Sequence, residues 1–214
     1  EFLYVFFQKL SNNEGYRLQG FSKNNMKKKM NDLIITSPFQ LEMYNYENIP
    51  LQNDEFLRLG RHGWKDRYYE HFFQFNRFRE KNKLKQVVFD YMKTVFWVWH
   101  YYIHGLPSWS WFYKYHHAPT MSDICYFCKK IEIPVFDIAE PLTSDVQLLC
   151  VLPPDSFHLV NEKYKHILTQ SETKHFYPSE FNEDFYHKTK RWQTIPNIPF
   201  IDVDLLLQNV ENMK

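Results

Sequence analysis

The sequence predicts a mainly helical fold with long, irregular, aromatic-rich loops, and three observations carry that prediction. Lys85 to His104 contain neither Gly nor Pro, and Gly105 followed by Pro107 then supplies a stop. Leu3, Phe6, Phe7 and Leu10 recur at helical spacing. Between Leu106 and Pro119, two prolines bracket a run of indoles, phenols and imidazoles, which favours a loop over a helix.

In chain order, residues 2–10 read as a short apolar helix. Residues 11–30 are polar and include Lys27, Lys28 and Lys29, which form either a phosphate-facing patch or a solvated surface. Residues 36–55, with Pro38, Pro50 and several Asn, read as a connector. A helix is predicted from about Trp64 to Arg79, followed by the helix at Lys85–His104. The latter is apolar almost all round, which predicts burial on most faces. Asp90, Lys93, Trp97, His100 and His104 form one polar line along it, and this line meets either solvent or a water-filled channel. After the loop come Cys125 and Cys128, then Pro-interrupted extended sequence. Val146–Leu152 is either a short strand or a helical turn, and Tyr164–Leu168 is helical. Asp202 caps a last helix over Val203–Val210.

Composition narrows the function classes. The chain has 214 residues, enough for one sizeable core, and is read as a single helical domain. Residues 1–55 form its lead-in and 63–207 its most patterned part. At 44% hydrophobic and 19% aromatic residues it has too many rings for a disordered chain. With 26 Lys and Arg against 25 Asp and Glu, it is no polycation that coats nucleic acid by bulk charge. Any such contact must come from a local patch or from stacking. Three cysteines are too few for a secreted disulfide framework, so a reducing compartment is expected, cytoplasmic with nuclear as the alternative. The longest apolar run, Val95–Ile103, is too short for a membrane span, and no membrane contact is expected. The apolar start without Met predicts a piece excised from a longer protein.

From Phe96 the chain reads Phe-Trp-Val-Trp-His-Tyr-Tyr-Ile-His-Gly-Leu-Pro-Ser-Trp-Ser-Trp-Phe-Tyr-Lys-Tyr-His-His-Ala-Pro-Thr-Met-Ser-Asp, ending at Asp123. This resembles the signature of the XRN family of 5′→3′ exoribonucleases. Gly63-Trp64-Lys65-Asp66-Arg67-Tyr68-Tyr69, Gln147 to Pro154, Phe176-Tyr177-Pro178 with Phe181 and Asp184, and Trp192 with Ile198 to Asp202 are similar to further family elements in the same order. There are departures. Lys114 stands where the pattern has Pro, His117 where it has Tyr, and the Asn-Gly turn is missing near Tyr186–Lys190.

The resemblance implies the helical middle domain of such an enzyme, which completes the RNA pocket and buttresses a two-metal nuclease core acting on 5′-monophosphate single-stranded RNA. It implies Mg²⁺ held by carboxylates of an upstream, N-terminal nuclease region outside this chain, so no catalytic residue is expected here. It implies substrate contact at Trp109, Trp111, Tyr113 and His116, and contact with the nuclease core at Arg67, Trp97 and Asp123. Stacking suits an enzyme that must read every base alike, because every base has a π face. The imidazole of His116 either meets a phosphate oxygen or is a buried structural group. Arg67 either binds a carboxylate of the nuclease region or pairs with Asp66 or Glu70. Trp97, on a helix, is expected to pack. Cys125 and Cys128 with His116, His117 or Cys150 offer a weak zinc alternative, and no metal site is predicted. The rival reading is a relative that keeps the aromatic loop for RNA binding or structure but has lost hydrolysis.

Overall fold

The computed structural model describes residues 1–20, 36–47, 56–186, 188 and 190–212. The basic run Lys27–Lys29 lies outside the described residues. Within the stretch read above as one helical domain, the chain forms two compact units, Glu1–Ala139 with Phe185–Gln193, and Glu140–Asp184 with Thr194–Lys214. Helix dominates, and the fold class is the mainly helical one expected. Among the described residues no helix is long and apolar enough to cross a membrane.

The first unit opens with α1 (Phe2–Ser11). Its Leu3, Phe7 and Leu10 share one face and join the core, while Phe2, Val5 and Phe6 stay exposed. A helical stretch over residues 14–20 (α2) interrupts the segment read as merely polar. Its Gly15 is obligatory, because a Cβ there would sit 2.8 Å from the backbone of Gly60. The connector expected over 36–55 instead contains α3 (Pro38–Glu47). The start signal was present: Pro38 takes the first helical position and Ser37 Oγ accepts from Gln40 N at 3.2 Å.

α4 (Trp64–Phe73) is shorter than the helix predicted to Arg79, because Gln74 adopts a left-handed conformation (φ 57°, ψ 34°). Asn76 Oδ1 then accepts from the backbone of Phe78 and Arg79, holding a turn. α5 (Lys81–His104) buries Leu84, Val87, Val88 and Met92. Only this N-terminal half is sealed. Val98, Trp99, Tyr101, Tyr102 and Ile103 are exposed, so the expected burial on most faces holds for half the helix. Gly105 ends it at φ 90°, donating to Tyr101 O at 3.2 Å. After the loop, α6 (Met121–Cys128) lies against α1 and α5.

The second unit pairs α7 (Ser144–Val151) with α8 (Val203–Glu211). Three 3-10 turns, Pro154–Leu159, Glu162–Leu168 and Lys174–Phe176, fill the space around them. A two-residue antiparallel pair, β1 (Glu183–Asp184) with β2 (Ile195–Pro196), closes an edge in the register Glu183↔Pro196. Val146, Leu149, Val160, Ile167, Leu168, Leu206 and Val210 form the core with the rings of Phe176 and Tyr177. Asp202 caps α8 as predicted, accepting from Leu205 N at 3.1 Å.

Candidate nucleic-acid interface

The ring-rich segment after Gly105 folds back along the polar line of α5, and that line is its seat. Trp97 Nε1 donates to Ser108 O at 3.1 Å, and His100 Nδ1 lies 3.0 Å from Gly105 O. Further toward the helix start, Trp111 Nε1 donates to Thr94 Oγ1 at 3.2 Å, and that hydroxyl donates to Asp90 O at 3.0 Å. The loop is therefore pinned by hydrogen bonds from side chains at helical spacing, which explains how a segment without regular structure keeps one shape. Its far end is tied down by Tyr68 OH, which donates to Ala118 O at 2.7 Å.

Two indoles emerge from this scaffold differently. Trp109 is 57% exposed, and its backbone N–H donates to Ile138 O at 2.9 Å. Trp111 is half-buried and walls a groove of about 670 Å³ with Gln86, Phe89, Asp90, Lys93 and Lys114, and with Lys130, Ile131, Glu132 and Pro134 as its further lining. Lys93 Nζ lies 4.1 Å from the Trp111 ring centroid and 5.4 Å from that of Phe136. A cation over an indole face contributes about 0.5–2 kcal/mol, more as water is excluded. Beside it, burial raises the Asp90 carboxyl above the usual aspartate range, opposed by the hydrogen bond from Gln86 and by the charges of Lys114 and Lys93. Neither indole sits deep among aliphatic neighbours.

The remaining candidates have mixed placements. Tyr113 turns inward, donating from OH to His117 O at 2.8 Å, and burial pushes its phenol well above the usual tyrosine range. His116 is exposed on the same loop, whereas His117 lies against Phe72 with ring centroids 3.9 Å apart. Trp97 packs, stacked on Tyr101 at 5.4 Å and 7°. Arg67 takes neither Asp66 nor Glu70. Its Nε, Nη1 and Nη2 donate to the carbonyls of Leu57, His62 and Arg58, which fixes the turn before α4. Asp123 is 3% exposed and its partners are internal: Arg77 Nη2 at 2.9 Å and Thr120 Oγ1 at 2.5 Å. The resemblance implies a contact of Asp123 with the nuclease core, and here its carboxylate instead binds Arg77 and Thr120 and anchors the start of α6.

Several residues escaped the sequence reading. Glu14 is buried, and its carboxylate accepts from Met121 N at 2.5 Å, Ser122 N at 3.3 Å and Ser122 Oγ at 3.0 Å, capping α6 from a distant segment. No local signal announces a cap supplied from so far away. Lys93 was legible as part of the helix line, but its place between Trp111 and Phe136 depends on where the 130–136 segment runs.

Neither metal idea gains a donor set. Cys125 and Cys128 are free thiols, and Cys128 Sγ points to Cys125 O. Burial, with the neighbouring Cys125, raises the Cys128 thiol. Among the described residues no group of three or more His, Cys, Asp or Glu side chains is placed to hold a metal ion, so the residues present do not fit a two-magnesium centre.

Comparison with known proteins places the chain. Residues 11–214 match the family described as the Xrn1 helical domain. The chain is 37% identical over 155 residues to 5′-3′ exoribonuclease 2 of Arabidopsis thaliana, covering 71% of this chain and 15% of that protein. It is 38% identical over 162 residues to 5′-3′ exoribonuclease 2 of Kluyveromyces lactis, covering 75% and 16%. Against 5′-3′ exoribonuclease 1 of Saccharomyces cerevisiae it is 31% identical over 192 residues, covering 88% and 12%. The chain thus spans about one-seventh of the length of these relatives. The helical architecture, the loop seated on α5 and these matches together show that the chain belongs to the Xrn1 helical domain family.

Proposed function

We propose that this chain is the helical portion of a 5′→3′ exoribonuclease, and that its loop 105–119 borders the path of a single-stranded RNA bearing a 5′-monophosphate. The carrying observation is the pair of indoles: Trp109 exposed on an anchored backbone, Trp111 held by its N–H on the wall of an open groove. Trp109 presents its ring to solvent and the Trp111 ring, with Lys93 over it, borders the groove, and stacking contributes about 1–3 kcal/mol per base without regard to sequence. Hydrolysis belongs to a nuclease region outside this chain, where carboxylates hold Mg²⁺. The role of this chain's residues is to bind and orient the strand and to exclude duplex.

The test is made in the full-length protein. Trp109→Ala and Trp111→Ala are each expected to weaken binding of single-stranded RNA by roughly 5- to 150-fold, the equivalent of that stacking range, and to slow its degradation. Unchanged affinity and rate with both indoles replaced would remove the loop from the RNA path. Release of nucleoside monophosphates by the unaltered protein separates an active enzyme from a relative that only binds.

A further inference from the structure

The groove beside Trp111 is larger than a stacked base requires, and it carries charge that the stacking role leaves unused. Lys93, Lys114 and Lys130 line it, with Asp90 and Glu132 as its acids. Asp90 Oδ1 accepts from Gln86 Nε2 at 2.9 Å, and the carboxylate feels the charges of Lys114 and Lys93 without forming an ion pair with either. None of the three lysines takes part in an ion pair among the described residues. Lys93 is held against Trp111 and Phe136, which fixes one ammonium in the wall, while Lys114 and Lys130 are exposed at the rim. A volume of about 670 Å³ falls within the range of small-ligand sites and has room for a nucleotide.

Resting on the reading that loop 105–119 borders RNA, we propose that this groove is a second RNA contact site, in which Lys93, Lys114 and Lys130 hold the sugar-phosphate backbone of the strand whose bases meet the loop. The observation favouring RNA over an acidic peptide is continuity. Trp111 belongs both to the loop and to the groove wall, so a strand stacked on the loop delivers its phosphates to these ammoniums. The contact is blind to sequence, because phosphates are alike at every step. It makes binding salt-dependent, with each neutralised phosphate of a single strand contributing about 0.7 to the slope of log affinity against log salt.

The experiment compares full-length variants on a 5′-phosphorylated oligouridine of about 16 nucleotides, by fluorescence anisotropy across a salt series. Lys114→Glu with Lys130→Glu is expected to lower affinity on the order of 10-fold near physiological salt and to flatten the slope by about 1.4. Charge reversal at Lys163 and Lys174, exposed and outside the groove, controls for net charge and is expected to change neither as much. Trp109→Ala is expected to weaken binding with the slope intact. Should Trp109→Ala weaken binding while the groove pair alters neither affinity nor slope, the groove site is overturned and the stacking role stands. Should the groove pair lose binding to polyglutamate but keep it to RNA, the groove belongs to a protein partner and the proposal fails. Equal effects from both lysine pairs would likewise overturn it, as a bulk-charge effect.

Discussion

Among the described residues the first unit buries two carboxylates beside its core, Glu14 and Asp123, whereas the buried side chains of the second carry no polar group other than hydroxyls. In the first, Tyr69, Phe75 and Phe7 pack with Val87, Val88 and Met92, and the buried Asp123 binds Arg77 and Thr120 at the core's edge. Tyr69 OH accepts from Thr120 N at 3.0 Å, and burial beside Asp123 pushes its phenol far above the usual range. In the second, Val146, Leu149, Ile167, Leu206 and their neighbours close on one another. Thr173, donating to Ile167 O, and Tyr177, whose OH donates to Leu149 O at 2.9 Å, bring the two hydroxyls that this core buries among the described residues. The contrast follows from what each unit must hold in place. A loop with no regular hydrogen-bond ladder needs side-chain hydrogen bonds to define it, and those bring buried polar atoms with them. Two short helices and their 3-10 turns are held chiefly by apolar contact, with two hydroxyl-to-carbonyl hydrogen bonds inside it.

This contrast can be broken by removing one partner from each core. The largest effect is expected for Asp123→Ala, which leaves Arg77 with only Asp66 at 3.6 Å and frees the start of α6, costing about 3–4 kcal/mol. Urea unfolding followed by indole fluorescence reads this change in the first unit, because all six tryptophans lie there. A loss below about 1 kcal/mol would mean that the buried carboxylate does not organise the unit. Leu206→Ala, in the core of the second unit, is expected to cost about 3 kcal/mol through lost burial and a residual cavity. Faster amide exchange along α7 and α8 is the readout, and unaltered protection would contradict the core assignment. The smallest effect sharpens the contrast at the groove. Burial raises the Asp90 carboxyl, so the folded chain holds that proton more tightly than the unfolded chain. Its contribution to stability is present in acid and is lost as pH rises from the ordinary aspartate pKa through the raised one. Asp90→Asn is expected to flatten the stability curve in that window, and an unchanged curve would show that Asp90 is not desolvated.

Legibility differed from element to element. The helix at α5, its stop at Gly105, the cap at Asp202 and the irregular loop all follow from short-range rules of spacing, turn chemistry and capping, and they were readable. The early end of α4 was not, because it depends on one left-handed residue, Gln74, that carries no glycine signal. α3 carries a start signal at Ser37-Pro38, but a proline marks a break as readily as a first helical turn, so the segment's pattern alone does not reveal it. Within the loop the two indoles and His116 are legible as ring-bearing residues, whereas Arg67 and Asp123, legible only by their place in a motif, make their hydrogen bonds inside the fold.

By itself the sequence determined the family, the helical class and the identity of the ring-bearing loop, because these rest on residue types in a fixed order along the chain. Only the tertiary structure decided that Trp111 and Lys93 meet across a groove, that Glu14 caps α6, and that Asp123 faces inward. The physical reason is that each of these depends on which distant segments come within a few ångströms, and spacing along the chain does not encode that distance.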